Sequence, residues 1–114
     1  MEDSITEEEI AAVNSCLRSG EYTQGALVEQ FEQSIARWNG SRYGIMVNSG
    51  SSANLLMVDL LRKKYNLQDG DEVLVPAVTW TTTIYPLLQH HLKPVFCDVD
   101  GSFNIDINSM KRML

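Results

Sequence analysis

Apolar residues recur at helical spacing early in the chain, first as Ile10, Val13 and Leu17, then as Leu27, Val28, Phe31, Ile35 and Trp38. Thr6 followed by Glu9 has the pattern of a capping box, and Gly20 closes the first helix. Asn39-Gly40 closes the second. From Tyr43 the pattern changes to a short apolar run, Ile45-Met46-Val47, cut off by Asn48-Ser49-Gly50, which predicts a buried strand reaching a turn. Ser52 to Tyr65 then reads as a long helix with a broad apolar face. Asp69-Gly70-Asp71 makes a turn before a strand over Val73-Leu74-Val75, which Pro76 stops. Trp80 to His91 reads as a helix despite Thr81-Thr82-Thr83 and Pro86. Val95-Phe96-Cys97 predicts a third strand ending at Asp98, and Asp106 or Asn108 caps a last helix running to Leu114.

Strands alternating with helices predict an α/β layer fold with a mostly parallel sheet and right-handed crossovers. Three strands leave open edges and the last helix runs off the end, so more protein is expected after Leu114. Tyr43, Tyr65, Met46, Met57 and Met110 are expected to pack the core.

At 114 residues the chain suffices for one compact domain, and 44% apolar with 21% charged residues is ordinary for a soluble globular protein. The net charge of -6, with no basic cluster beyond Arg62-Lys63-Lys64, argues against a nucleic-acid partner. An anionic ligand must then be held by local geometry. Cys16 and Cys97 form no Cys-x-x-Cys pair, so no metal site is indicated, and two free thiols fit a reducing cytoplasm. The acidic start Met1-Glu2-Asp3-Ser4 lacks the features of a signal peptide, and no run is long enough to span a membrane.

Candidate chemistry concentrates at two handovers. In Val47-Asn48-Ser49-Gly50-Ser51-Ser52-Ala53-Asn54, a glycine and small hydroxyl residues sit where a strand passes into a helix. The first N–H groups of a helix lack intrahelical partners and carry the positive end of its dipole, so such a turn binds phosphate. Serines here also serve as plain helix caps, and both readings stand at this point. The segment is neither a P-loop nor a dinucleotide fingerprint, since no Gly-Lys-Ser/Thr follows and the glycine spacing differs. Pro76-Ala77-Val78-Thr79-Trp80 leaves the next strand at the same carboxyl edge, where ligands bind in open α/β sheets, and the Trp80 indole offers a flat face to a flat ring. Packing is the commoner use of a tryptophan. His90 and His91 at a helix end suit the dipole and suggest neither metal nor catalysis; Lys63, Lys64 and Lys93 are expected to project into solvent.

Gly20-Glu21-Tyr22-Thr23-Gln24-Gly25, Phe31-Glu32, Asn48 to Ala53, Gly70-Asp71-Glu72-Val73, Pro76 to Trp80, Lys93-Pro94-Val95-Phe96, Asp98-Val99-Asp100 and Asn104-Ile105-Asp106 occur in the order and spacing of one family. Through them the chain resembles the DegT/DnrJ/EryC1/StrS aminotransferases along nearly its whole length. The resemblance implies the N-terminal part, residues 1–114, of an aspartate-aminotransferase-like (fold type I) large domain, a partial three-layer α/β/α sandwich that binds pyridoxal 5'-phosphate. It implies a homodimer that moves an amino group from glutamate or glutamine to a keto-sugar nucleotide. By position, Gly50, Ser51 and Ser52 hold the cofactor phosphate, Trp80 stacks on the ring, and Tyr22 and Thr23 approach the sugar, unless they form only an interhelix turn.

Family members more often have Thr-Ala where this chain has Ser51-Ser52, a departure that keeps the hydroxyl and amide donors. Asn-Ser-Gly-Ser-Ser-Ala-Asn-Leu also resembles a dehydratase branch, in which sugar 3-deoxygenation replaces amination and a histidine stands in for the cofactor-linked lysine. The segment after Pro76 does not resemble that branch, so amination is the leading expectation and dehydration the alternative. The family's lysine, and its aspartate for the pyridine nitrogen, come later than Leu114, so no catalytic residue is assigned and no amino transfer by these 114 residues alone is expected. Asp98 is read as a loop-shaping acceptor. A small phosphate-binding module without chemistry, or a fragment acting only through interaction, are the readings from other classes.

Overall fold

The computed structural model describes residues 5–114, so the acidic start at Met1 to Ser4 lies outside the described residues. Two compact units divide the chain, Met1–Met46 and Val47–Leu114.

The first unit carries α1 (Glu7–Ser19) and α2 (Ala26–Trp38). The acidic half of the expected capping box is present: the Glu9 carboxylate accepts from the Thr6 backbone N–H and, at 2.6 Å, from its hydroxyl, contacts that hold the Glu9 carboxyl below its ordinary pKa. Gly20 ends α1 with φ 78°, the left-handed conformation that glycine adopts without penalty.

Beyond α2 the structure departs from expectation. Ile45-Met46-Val47 is not a strand: the segment has no ladder partner among the described residues, and the Met46 N–H donates instead to the Glu32 carboxylate at 2.7 Å. Apolar β-branched residues suit a strand, but only a neighbouring chain segment makes one. Gly44 lets this segment lie against α2. A Cβ there would stand 2.6 Å from the Glu32 carbonyl oxygen and 3.1 Å from Ile35 Cγ2. Gly44→Ala is therefore expected to force a backbone shift costing about 1–3 kcal/mol, read as a lower urea midpoint; an unchanged midpoint would show that the contact is not held in solution.

The second unit contains α3 (Gly50–Tyr65), β1 (Glu72–Pro76), α4 (Thr81–Gln89), β2 (Lys93–Cys97) and α5 (Ile107–Met113). β1 and β2 pair in parallel, from Glu72 opposite Lys93 to Pro76 opposite Cys97, with α4 as the crossover. The sheet thus has two strands among the described residues where three were expected, the missing one being Ile45 to Val47. Asn66 ends α3 with φ 53°, and Asp106, one of the two expected caps, begins α5 by accepting from the Asn108 N–H at 2.8 Å.

Val75, Leu87 and Leu92 form the buried cluster of this unit, with Val58, Leu67, Val73 and Ile84 packed around it. Cys97 is fully buried, and both cysteines are free thiols. The residues assigned to a core by their type fare differently: Tyr43, Tyr65, Met46 and Met57 are exposed, and Met110 is half-buried. Much of the apolar face of α3, including Leu56 and Leu60, is exposed as well. Periodicity identifies a face, whereas burial needs a partner layer for it.

Lys63 and Lys93 project into solvent as expected, paired with Asp59 at 2.7 Å and Glu72 at 2.8 Å. Among the described residues no helix is long and apolar enough to cross a membrane.

Candidate functional site

The turn into α3 is built by its own side chains. Ser49 is the N-cap: its hydroxyl oxygen accepts from the Ser52 N–H at 3.2 Å, while its carbonyl takes the Ala53 N–H at 3.1 Å. The Ser52 hydroxyl donates to Asn48 Oδ1 at 2.6 Å, which braces the residue before the cap against the first helical turn. Ser52 thus serves as a structural member of the cap, and its donor is already committed. Ser51 differs: it is exposed and makes no side-chain hydrogen bond among the described residues. The N–H groups of Gly50 and Ser51 lie at the first two helical positions, ahead of the first intrahelical donor, so they too are open to an incoming acceptor.

These features suit a phosphate. A Cβ placed on Gly50 would meet nothing within 4 Å, so the space before the helix is open. No acidic residue stands in the first turn to repel an anion. Two open amides and the Ser51 hydroxyl stand at the positive end of a helix sixteen residues long.

Trp80 stands at the N-cap position of α4, 75% exposed, at the end of the loop that leaves the carboxyl end of β1. The loop starts by extending the sheet pairing, with the Ala77 N–H donating to the Cys97 carbonyl at 2.7 Å. The expected route by which the two loops share an edge is corrected: the α3 turn does not follow a sheet strand. Contact between helices links the two starts instead, as the Asn54 side-chain amide in α3 donates to the Thr82 carbonyl in α4 at 3.2 Å. A groove of about 230 Å³ runs between them, lined by Ser51, Ser52, Leu55, Thr82, Tyr85 and Gln89, with Pro86 at its wall. Trp80 is not part of that lining. Asn54 closes the segment that the sequence singled out, but its link to α4 was not anticipated, and Tyr85 was not singled out at all.

Tyr22 and Thr23 lie in the first unit, on a hollow of about 140 Å³ shared with Cys16, Ser19, Glu21 and Val28. The Tyr22 hydroxyl donates to the Leu17 carbonyl at 3.0 Å, which fixes the turn between α1 and α2. Asp98 shapes its loop as expected, accepting from the Val99 N–H through its carboxylate at 2.9 Å and from the Asp106 N–H through its carbonyl at 2.8 Å. Hydrogen bonds from Ser102 hold the Asp100 carboxyl below its ordinary pKa in the same loop. His90 caps α4, with Nδ1 3.9 Å from Asp59, and no metal-binding cluster is present among the described residues.

Known proteins resemble this chain in sequence and in fold. The model of the DegT/DnrJ/EryC1/StrS aminotransferase family matches residues 3–114. GDP-4-keto-6-deoxy-D-mannose 3-dehydratase of Escherichia coli O55:H7 is 49% identical over 91% of this chain, which spans 28% of that protein. UDP-4-amino-4-deoxy-L-arabinose--oxoglutarate aminotransferase of Shewanella sediminis is 35% identical over 86% of this chain and 24% of its own length. The solved structure of the E. coli dehydratase with bound hydrated PLP superimposes with a TM-score of 0.89 at 46% identity, over 97% of this chain and 29% of that one. The parallel β1–α4–β2 unit and these likenesses agree: the chain belongs to the DegT/DnrJ/EryC1/StrS aminotransferase family, whose members are pyridoxal-phosphate-dependent enzymes of fold type I.

Proposed function

We propose that this chain is the N-terminal, cofactor-phosphate-binding part of a 3-dehydratase acting on a 4-keto-6-deoxy nucleotide sugar, and not of an aminotransferase. The observation that carries this reading is the gradient of likeness: 49% identity to a 3-dehydratase against 35% to an aminotransferase, over nearly the same share of the chain. The run Asn48-Ser49-Gly50-Ser51-Ser52-Ala53-Asn54-Leu55, which already resembled the dehydratase branch, points the same way. The leading expectation of amino transfer gives way to its alternative.

In this reading the Gly50 and Ser51 amides and the Ser51 hydroxyl hold the phosphate, while Ser52 and Asn48 keep the turn in shape. Trp80 offers its exposed indole face to the ring. Tyr22 and Thr23 line the approach of the sugar, with Tyr22 held by its bond to Leu17. Bound pyridoxal phosphate supplies the electron sink that the chemistry needs. Two subunits form the active unit, in the cytoplasm, with glutamate as the amino donor that recharges the cofactor.

The test is to supply the intact protein with pyridoxal phosphate, glutamate and GDP-4-keto-6-deoxymannose and to identify the sugar formed. A 3-deoxy product is expected. A 4-amino product retaining its 3-hydroxyl would return the assignment to the aminotransferases.

A further inference from the structure

α4 contains Pro86 in its interior, buried, and a proline has no N–H. The carbonyl that residue 86 would serve in an α-helix lies four positions earlier, on Thr82. Buried backbone carbonyls seldom go without a donor. Here the donor comes from another helix: Asn54 Nδ2, in the first turns of α3, donates to the Thr82 oxygen at 3.2 Å across 28 positions of sequence. Proline and asparagine are thus complementary, one removing a donor and the other replacing it from across the groove.

The location gives this joint its consequence. Asn54 is three residues after Ser51, and Thr82 is two residues after Trp80. Ser51, Ser52, Thr82 and Pro86 line the same groove. We infer that Asn54 is a positioning residue for the cofactor: through the Thr82 carbonyl that Pro86 leaves without its helical donor, it sets the start of α3, where the phosphate is held, against the start of α4, which carries Trp80. The inference rests on the proposed phosphate role of Ser51. An asparagine making this single bond spans the two starts with a fixed geometry, whereas apolar contact alone allows the helices to slide.

The test is a double-mutant cycle on the intact protein with Asn54→Leu, similar in shape but without a donor, and Pro86→Ala, which returns an N–H to α4. Thermal midpoint and the dissociation constant for pyridoxal phosphate are both measured. Asn54→Leu is expected to lower the midpoint and to raise the dissociation constant about tenfold, and Pro86→Ala to change the dissociation constant little. The double variant is expected to recover the midpoint, because the N–H restored at position 86 then serves the Thr82 carbonyl from within α4, but to keep the weakened binding, because the bond between the helices is still absent. Should Asn54→Leu fail to fold, the double variant is expected to fold and to bind about tenfold more weakly than the wild type. Unchanged binding in Asn54→Leu, or binding restored in the double variant, would each show that Asn54 only satisfies a carbonyl and would overturn the inference. A wild-type protein that binds no pyridoxal phosphate would overturn the functional reading along with it, whereas a wild type that binds no better than the double variant would overturn the positioning role alone.

Discussion

Ser51→Asp is expected to weaken pyridoxal phosphate binding by about two to three orders of magnitude while leaving the fold as stable as before, or more so. The two effects have opposite signs for one reason. The start of α3 is a positive pole, so a carboxylate in its first turn is favourable by about 0.3–1 kcal/mol when no ligand is present. The same carboxylate then occupies the position that the phosphate needs. Two unit charges about 4 Å apart near a protein surface repel by roughly 4 kcal/mol, and each 1.4 kcal/mol is a factor of ten, so affinity falls on the order of 10²- to 10³-fold. The exposure of Ser51 and the absence of acidic residues in the first turn make the comparison clean, since no existing hydrogen bond is lost. Pyridoxal, which lacks the phosphate, serves as the control and should bind the variant and the wild type alike. Equal loss for both ligands would mean that the turn itself had been deformed; no loss for either would place the phosphate elsewhere.

How much of this was readable from residues alone differs from element to element. The helices came through because their signals are local. Glu9 three positions after Thr6, and Gly20 and Asp106 at helix ends, each act within a turn of their own position. β1 and β2 came through because their apolar runs are bounded on both sides, although Pro76 is the last paired residue and not the stop that was expected. Ile45 to Val47 failed because a strand is defined by its neighbour, and no spacing within the run says whether one exists. The assignment of Tyr43, Tyr65, Met46 and Met57 to a core failed in the same way, since residue type gives the tendency to be covered and not the cover. At the candidate site, Gly50 and Ser51 were visible as a glycine and a hydroxyl at a handover to a helix. The Asn54 link was not, because it joins positions 28 apart. One half of its signal was nevertheless on view, as Pro86 inside a helix announces that Thr82 needs a donor from elsewhere.

Leu87→Ala is expected to remove roughly half or more of the second unit's stability at room temperature, and comparison with Leu56→Ala gives that result its meaning. Leu87 is 5% exposed and packs with Val75 and Leu92, which are each 4% exposed, so truncation leaves a cavity that so few neighbours cannot refill. Buried leucine truncations cost about 2–5 kcal/mol. Whole domains are stable by only about 5–15 kcal/mol, and a unit with so small a buried cluster lies at the low end. Leu56 sits on the outer face of α3 at 43% exposed, where removal of the side chain should cost well under half as much in a single copy of the chain. Urea unfolding of both variants at several protein concentrations decides the matter. A large cost at Leu87 and a small one at Leu56, independent of concentration, would establish that the cluster around Val75 alone holds the second unit. Comparable costs that grow with protein concentration would mean instead that the exposed face of α3 is covered by another copy of the protein, since stability gained by self-association falls as the protein is diluted.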